Sequence, residues 1–91
     1  MTENSPEILM YTSPFCGYCA AAKRLLDAKG VRYTEIDIFS DPSQRSVMIE
    51  RSGRRTVPQI FIGGLHIGGF DDMKALDDAG DLDTVLTSTP S

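Results

Sequence analysis

Ile8-Leu9-Met10-Tyr11 is an unbroken apolar run closed by Thr12-Ser13-Pro14, the pattern of a short strand buried on both faces of a sheet. From Cys16 onward, Cys19, Ala20, Lys23, Leu25, Leu26 and Ala28 suit a helix in propensity and spacing, and Gly30 is placed to cap its end. Tyr33 to Phe39 is rich in β-branched and aromatic residues and predicts a second strand. A strand, a helix and a strand in this order imply a right-handed crossover and a parallel pair. That one unit commits the chain to an α/β architecture.

The rest of the chain extends the unit. Asp41-Pro42 reads as an N-cap followed by proline at the first helical position, opening a helix through Val47, Met48 and Ile49 that Gly53 ends. Gln59-Ile60-Phe61-Ile62, Gly63-Gly64 and Leu65-His66-Ile67 form a hairpin signal with a two-glycine turn, so these two strands are expected to be antiparallel. Asp71 is the expected N-cap of a helix carrying Met73, Leu76 and Ala79, with Gly80 past its end, and Asp81 opens a short last helix over Leu82 to Leu86. The predicted order is β-α-β-α-β-β-α plus a short C-terminal helix: a four-stranded mixed sheet flanked by helices on both faces. With 91 residues the chain has room for one core, so residues 1–91 are expected to be a single domain. The ends, 1–6 and 88–91, are expected to be flexible.

Charge narrows the function. With 9 Lys and Arg against 13 Asp and Glu, a net charge of -4 repels nucleic acid and anionic lipid. No stretch approaches the ~18 to 20 apolar residues of a membrane span, and Met1 to Pro6 lacks the features of a secretory signal. A cytoplasmic location is expected.

The two cysteines, Cys16 and Cys19, stand three apart, and a bridge closing so short a loop could hardly staple a fold. Their purpose is chemical. Cys16 is expected at the first turn of a helix, where unsatisfied N–H groups and the helix dipole favour negative charge. A free thiol is only ~3% thiolate at pH 7, whereas helix N-termini and Cys-x-x-Cys motifs lower thiol pKa values to ~3.5 to 7.5. Cys19, one turn in on the same face, is suited to resolve a disulfide and not to attack one. Two ordinary helix cysteines are the bland alternative. Zinc is another, but His66 is the only further soft ligand, which leaves a tetrahedral site one short, and it reads as a solvent-facing strand residue. Placement between the first strand and first helix of a βαβ unit favours redox chemistry.

Three separated motifs make the chain resemble the dithiol glutaredoxins of the thioredoxin superfamily from Glu7 to about Leu86. Tyr11-Thr12 leads into Cys16-Gly17-Tyr18-Cys19, Thr56-Val57-Pro58 precedes the third strand, and Gly68-Gly69-Phe70-Asp71-Asp72 follows the fourth. The resemblance implies a thioredoxin fold, a cis Val57-Pro58 bond and glutathione as cosubstrate. It assigns Cys16 and Cys19 as catalytic, and Tyr18, Arg45, Thr56, Val57, Pro58, Gly69, Phe70, Asp71 and Asp72 as the glutathione site. Physical reasoning gives these positions work: Val57 N–H and C=O pairing with the cysteinyl backbone like an added strand, the γ-glutamyl carboxylate on the N–H groups of Asp71 and Asp72, and Asp72 taking the ammonium. Tyr18 offers a ring edge, and Arg45 clamps the glycine carboxylate. Read blandly, Arg45 is a solvated helix charge and Asp71 and Asp72 are only caps; Arg54 and Arg55 read as solvent-facing.

The expected cycle is attack by Cys16 on a glutathione mixed disulfide, then regeneration by a second glutathione, with Cys19 resolving protein disulfides. Partners are glutathionylated or disulfide-containing proteins and, indirectly, glutathione reductase, with the protein monomeric. No metal belongs to this enzyme form. Ser13 stands where many relatives carry lysine, and Gly17 replaces the commoner proline. Family members with a small residue there include cluster binders, so Gly17 raises the alternative of a homodimer bridged by a [2Fe-2S] cluster on Cys16 and two glutathione thiolates. A redoxin recycled by thioredoxin reductase is a further alternative, but the tryptophan before that motif is missing, the chain having none.

Overall fold

The computed structural model describes residues 6–87. The strands are β1 (Ile8–Thr12), β2 (Thr34–Asp37), β3 (Gln59–Ile62) and β4 (Leu65–Gly68); the helices are α1 (Gly17–Ala28), α2 (Pro42–Ser52), α3 (Phe70–Asp78) and α4 (Leu82–Thr87). Their order in the chain is the expected one. The strands form one sheet in the order β2-β1-β3-β4, with β1 and β2 parallel and the β1–β3 and β3–β4 pairs antiparallel.

Strand alternation sends side chains to two cores. Ile8, Met10, Ile60 and Ile62 face one side, where Ala22 and Leu26 of α1, Met73 of α3, and Leu82 and Leu86 of α4 close over them. Tyr11 and Phe61 face the other, against Met48 of α2, with Leu9, Ile36 and Val57 at its margin. Burial on both faces of β1 and β3 explains the unbroken apolar runs in the sequence.

Turn chemistry sets the element ends. Gly63 and Gly64 have φ of 59° and 85°, the left-handed pair a tight hairpin needs. Gly53, at φ 73°, ends α2, its N–H donating to the Ile49 carbonyl at 2.7 Å. Asp41 and Pro42 open α2 as expected, although the Asp41 carboxylate accepts from the Ser43 hydroxyl at 2.6 Å and not from the helix backbone.

Two expectations need correction. β2 stops at Asp37, short of Phe39, because the Asp37 carboxylate accepts from Phe39 N–H at 2.8 Å and folds the chain into a turn. The N-cap of α3 is Gly69, two residues before Asp71, because the Asp72 carboxylate reaches back to Gly69 N–H at 2.9 Å. Pro6 is buried beside Gly63. Of the residues expected to be flexible, 1–5 and 88–91 lie outside the described residues.

One end of the sheet gathers the expected functional residues. The C-terminal ends of β1, β2 and β4 and the start of β3 meet there, bringing Cys16, Phe39, Val57 and Gly69 to the same side of the molecule. An open groove lined by Pro6, Val31, Tyr33 and Leu86 lies at the opposite end, away from both cysteines.

Candidate active site

Cys16 is the N-cap of α1, with extended backbone (φ -128°, ψ 109°), and its carbonyl accepts the first helical hydrogen bond from Ala20 N–H at 3.2 Å. Its sulfur takes the place of a capping oxygen, accepting from Cys19 N–H at 3.2 Å. The Cys16 thiol also donates to the Val57 carbonyl at 3.5 Å. The sulfur is thus fixed between the helix terminus and the start of β3. Both cysteines are free thiols, Cys16 half-buried and Cys19 only 1% exposed.

Burial separates the two thiols chemically. Removal from water pushes the Cys19 thiol up to about 12, and its hydrogen bond with Cys16 adds to the rise; the Ser13 backbone and the Lys23 ammonium oppose it. Cys19 therefore keeps its proton at neutral pH while Cys16 is reduced.

The loop before β3 carries the expected cis Val57-Pro58 bond, and a buried clamp braces it. Gln59, fully buried, donates to the Thr56 carbonyl at 3.0 Å, and its side-chain oxygen lies 2.7 Å from His66 Nε2. His66, read from sequence as solvent-facing, is half-buried with its ring 4.9 Å from that of Phe61. Burial and the nearby Arg54 charge lower its pKa. Sequence reasoning passed over Gln59; the available signal was a lone amide in an otherwise apolar strand.

Gly69 packs close to this loop: a Cβ on it would lie 3.5 Å from the Pro58 carbonyl oxygen. The Asp72 carboxylate bonds to Gly69 N–H and to Arg54 at 2.9 Å, and these contacts, Gly69 first, hold its pKa low. Arg54, expected to face solvent, is half-exposed but paired. Asp71 is exposed in the first turn of α3. The rings of Tyr18 and Phe70 stack with centroids 6.3 Å apart, forming one wall. Cys16, Val57, Pro58, Gly69 and Asp72 thus form a connected line, with Tyr18 and Phe70 beside it. Arg45 stands apart, exposed on α2 with no ion-pair partner among the described residues. On the β2 side, Phe15 and Phe39 are 90% and 69% exposed and meet edge to face at 6.3 Å.

No group of three or more His, Cys, Asp or Glu positioned to hold a metal occurs among the described residues, and no described helix is long and apolar enough to cross a membrane.

A four-stranded mixed sheet with a Cys-x-x-Cys pair at the N-terminus of its first helix and a cis-proline loop beside the leading sulfur defines a thioredoxin-like thiol oxidoreductase. The glutaredoxin family model matches residues 8–67. Glutaredoxin 3 of Escherichia coli (strain K12) is 53% identical over 77 residues, covering 85% of this chain and 93% of that protein. A glutaredoxin from Brucella melitensis, solved in solution, is 49% identical with a TM-score of 0.84, covering 97% of this chain and 96% of its own. A buckwheat glutaredoxin–glutathione complex is 36% identical with a TM-score of 0.84, covering 92% of this chain and 79% of its own. The chain belongs to the glutaredoxin family, and a thiol oxidoreductase role that depends on glutathione follows in general terms.

Proposed function

We propose that the protein reduces glutathione mixed disulfides and protein disulfides, with Cys16 as nucleophile and Cys19 as the resolving thiol. The observation that carries this reading is the placement of the Cys16 sulfur, 3.2 Å from Cys19 N–H and 3.5 Å from the Val57 carbonyl. The helix terminus favours negative charge on that sulfur, and Val57 offers the backbone edge on which a peptide-like ligand can lie.

In the mixed-disulfide reaction, the Cys16 thiolate attacks the glutathionyl sulfur. The old S–S bond breaks, the client leaves as a thiolate that takes a proton from water, and glutathione remains on Cys16. A second glutathione thiolate attacks that adduct, releasing glutathione disulfide and restoring the Cys16 thiolate. With a protein disulfide, Cys16 first forms a mixed disulfide with the client; Cys19 attacks the Cys16 sulfur and releases the reduced client. Glutathione then reduces the Cys16–Cys19 bridge.

For glutathione, we assign the cysteinyl backbone to Val57 beside Thr56 and Pro58, and the ring wall to Tyr18 and Phe70. The γ-glutamyl carboxylate goes to the backbone N–H groups of Asp71 and Asp72 in the first turn of α3. Asp72 receives the ammonium, which requires Arg54 to yield part of its present pairing. Arg45 meets the glycine carboxylate. The buckwheat relative solved with glutathione supports the ligand class. A cytoplasmic setting, where glutathione keeps thiols reduced, suits the reaction.

The test is a trapping experiment. Cys19→Ser protein treated with glutathione disulfide should gain the mass of one glutathionyl group, mapped to Cys16; an adduct elsewhere, or none, contradicts the assignment.

A second reading rests on Gly17, whose Cβ position has nothing within 4 Å, beside a partly accessible Cys16. One thiolate from each of two chains and two from glutathione satisfy a [2Fe-2S] cluster, which these residues fit only as a dimer. Anaerobic reconstitution should then give a coloured dimer in wild type and less of it in Gly17→Pro, since proline is accepted at the first helical position but stiffens the loop. A colourless monomer with glutathione in excess excludes this reading.

A further inference from the structure

A buried thiol that holds its proton must nevertheless attack in the resolving step, and the surroundings of Cys19 suggest how. Cys19 and Lys23 are four residues apart on α1, the spacing that brings side chains together on one helix face. Lys23 Nζ lies 3.0 Å from Glu35 Oε2, and the same oxygen accepts from the Thr12 hydroxyl at 2.7 Å. Thr12 is 1% exposed at the end of β1, and Glu35 shares a sheet face with Met10, its partner in the β1–β2 register. That face is the one α1 covers. The ammonium is therefore moored to the sheet beside the helix that carries both cysteines.

We propose that Lys23, tethered through Glu35 to Thr12, is a positioning residue for the resolving step, holding positive charge toward the Cys19 sulfur while the Cys16-bound group departs. This rests on the two-cysteine reading above. The Glu35 hydrogen bond keeps Lys23 firmly protonated, with Tyr33 acting in the same direction. The groups acting on Cys19 are Cys16, Lys23 and the Ser13 backbone; on the Lys23 side, β2 contributes Glu35 and Asp37, and Tyr33 stands just before it. Once Cys16 is bonded to another sulfur, it no longer competes as an anion, and Lys23 remains as the charge opposing the cost of burial. The balance is simple: Cys19 loses its proton to water, its sulfur attacks Cys16, the Cys16–Cys19 bond forms, and the departing thiolate carries away the electron pair.

The test uses the full chain with Cys16 preloaded as the glutathione mixed disulfide, and follows release of glutathione against pH with no free glutathione present. Lys23→Met should slow release about threefold at neutral pH, because a tenfold smaller thiolate fraction is partly offset by greater nucleophilicity at a Brønsted coefficient of ~0.4–0.5. The rate profile should move to higher pH and cross that of wild type under alkaline conditions, where the more basic thiolate of the variant attacks up to about threefold faster, and Lys23→Arg should restore the wild-type profile. Superimposable profiles for Lys23→Met and wild type overturn the proposal. So does uniform slowing without displacement, which marks a merely structural role. Cys19→Ser separates the two levels of the argument: release from that variant at the wild-type rate overturns the two-cysteine reading itself.

Discussion

The Cys19 backbone N–H donates to the Cys16 sulfur across 3.2 Å, while the Cys19 side chain is only 1% exposed. One residue thus serves its neighbour twice: its backbone caps the nucleophile, and its own sulfur waits protonated beneath it. This asymmetry predicts selective alkylation. At neutral pH iodoacetamide should label Cys16 and leave Cys19 unlabelled until the protein is denatured, as read by peptide mass spectrometry.

The same burial has a pH consequence for stability. The folded state holds the Cys19 proton up to about 12 against an ordinary value of 9.0. A raised pKa stabilises the fold fully below the unfolded value and loses that contribution as pH rises through the folded one. Denaturant midpoints for wild type should therefore fall more steeply above about pH 9 than those of Cys19→Ala; parallel profiles contradict the assignment.

Gly68 has φ 118°, and a Cβ there would overlap the Asp72 carboxylate. Gly68→Ala should lower unfolding free energy by about 2 kcal/mol, from backbone strain and displacement of Asp72 together. It should also raise KM for glutathione, because Asp72 is the proposed seat of the ammonium. Chemical denaturation and steady-state kinetics on the same preparation measure both.

These cases show what can be read from sequence. The strands were legible because β1 and β3 are buried on both faces, and the cysteine pair because its spacing matches one helical turn. The end of β2 was not, since Asp37 turns the chain through its own carboxylate, a choice that β propensity does not encode. The cap of α3 was misplaced because an aspartate at the third helical position can reach back to a glycine N-cap. Arg54 with Asp72, and Lys23 with Glu35 and Thr12, join residues distant in the chain. Only the folded sheet brings those partners together.

Arg45→Ala should raise KM for glutathione by about tenfold or less with kcat nearly unchanged, the behaviour of a contact equally strong in ground and transition states. Arg45 is exposed on α2 and Ser13 supplies no charge on its side of the motif. An unchanged KM assigns the glycine end of the ligand to another group.

The central claim is the division of labour between the two sulfurs, and a coupled assay with glutathione, glutathione reductase and NADPH tests it most directly. Wild type, Cys16→Ser and Cys19→Ser are compared on a small glutathione mixed disulfide and on a protein disulfide. Cys16→Ser should be inactive on both, while Cys19→Ser should retain deglutathionylation and lose most reduction of the protein disulfide. Turnover by Cys16→Ser beyond the uncatalysed rate, or full protein-disulfide reduction by Cys19→Ser, would contradict it.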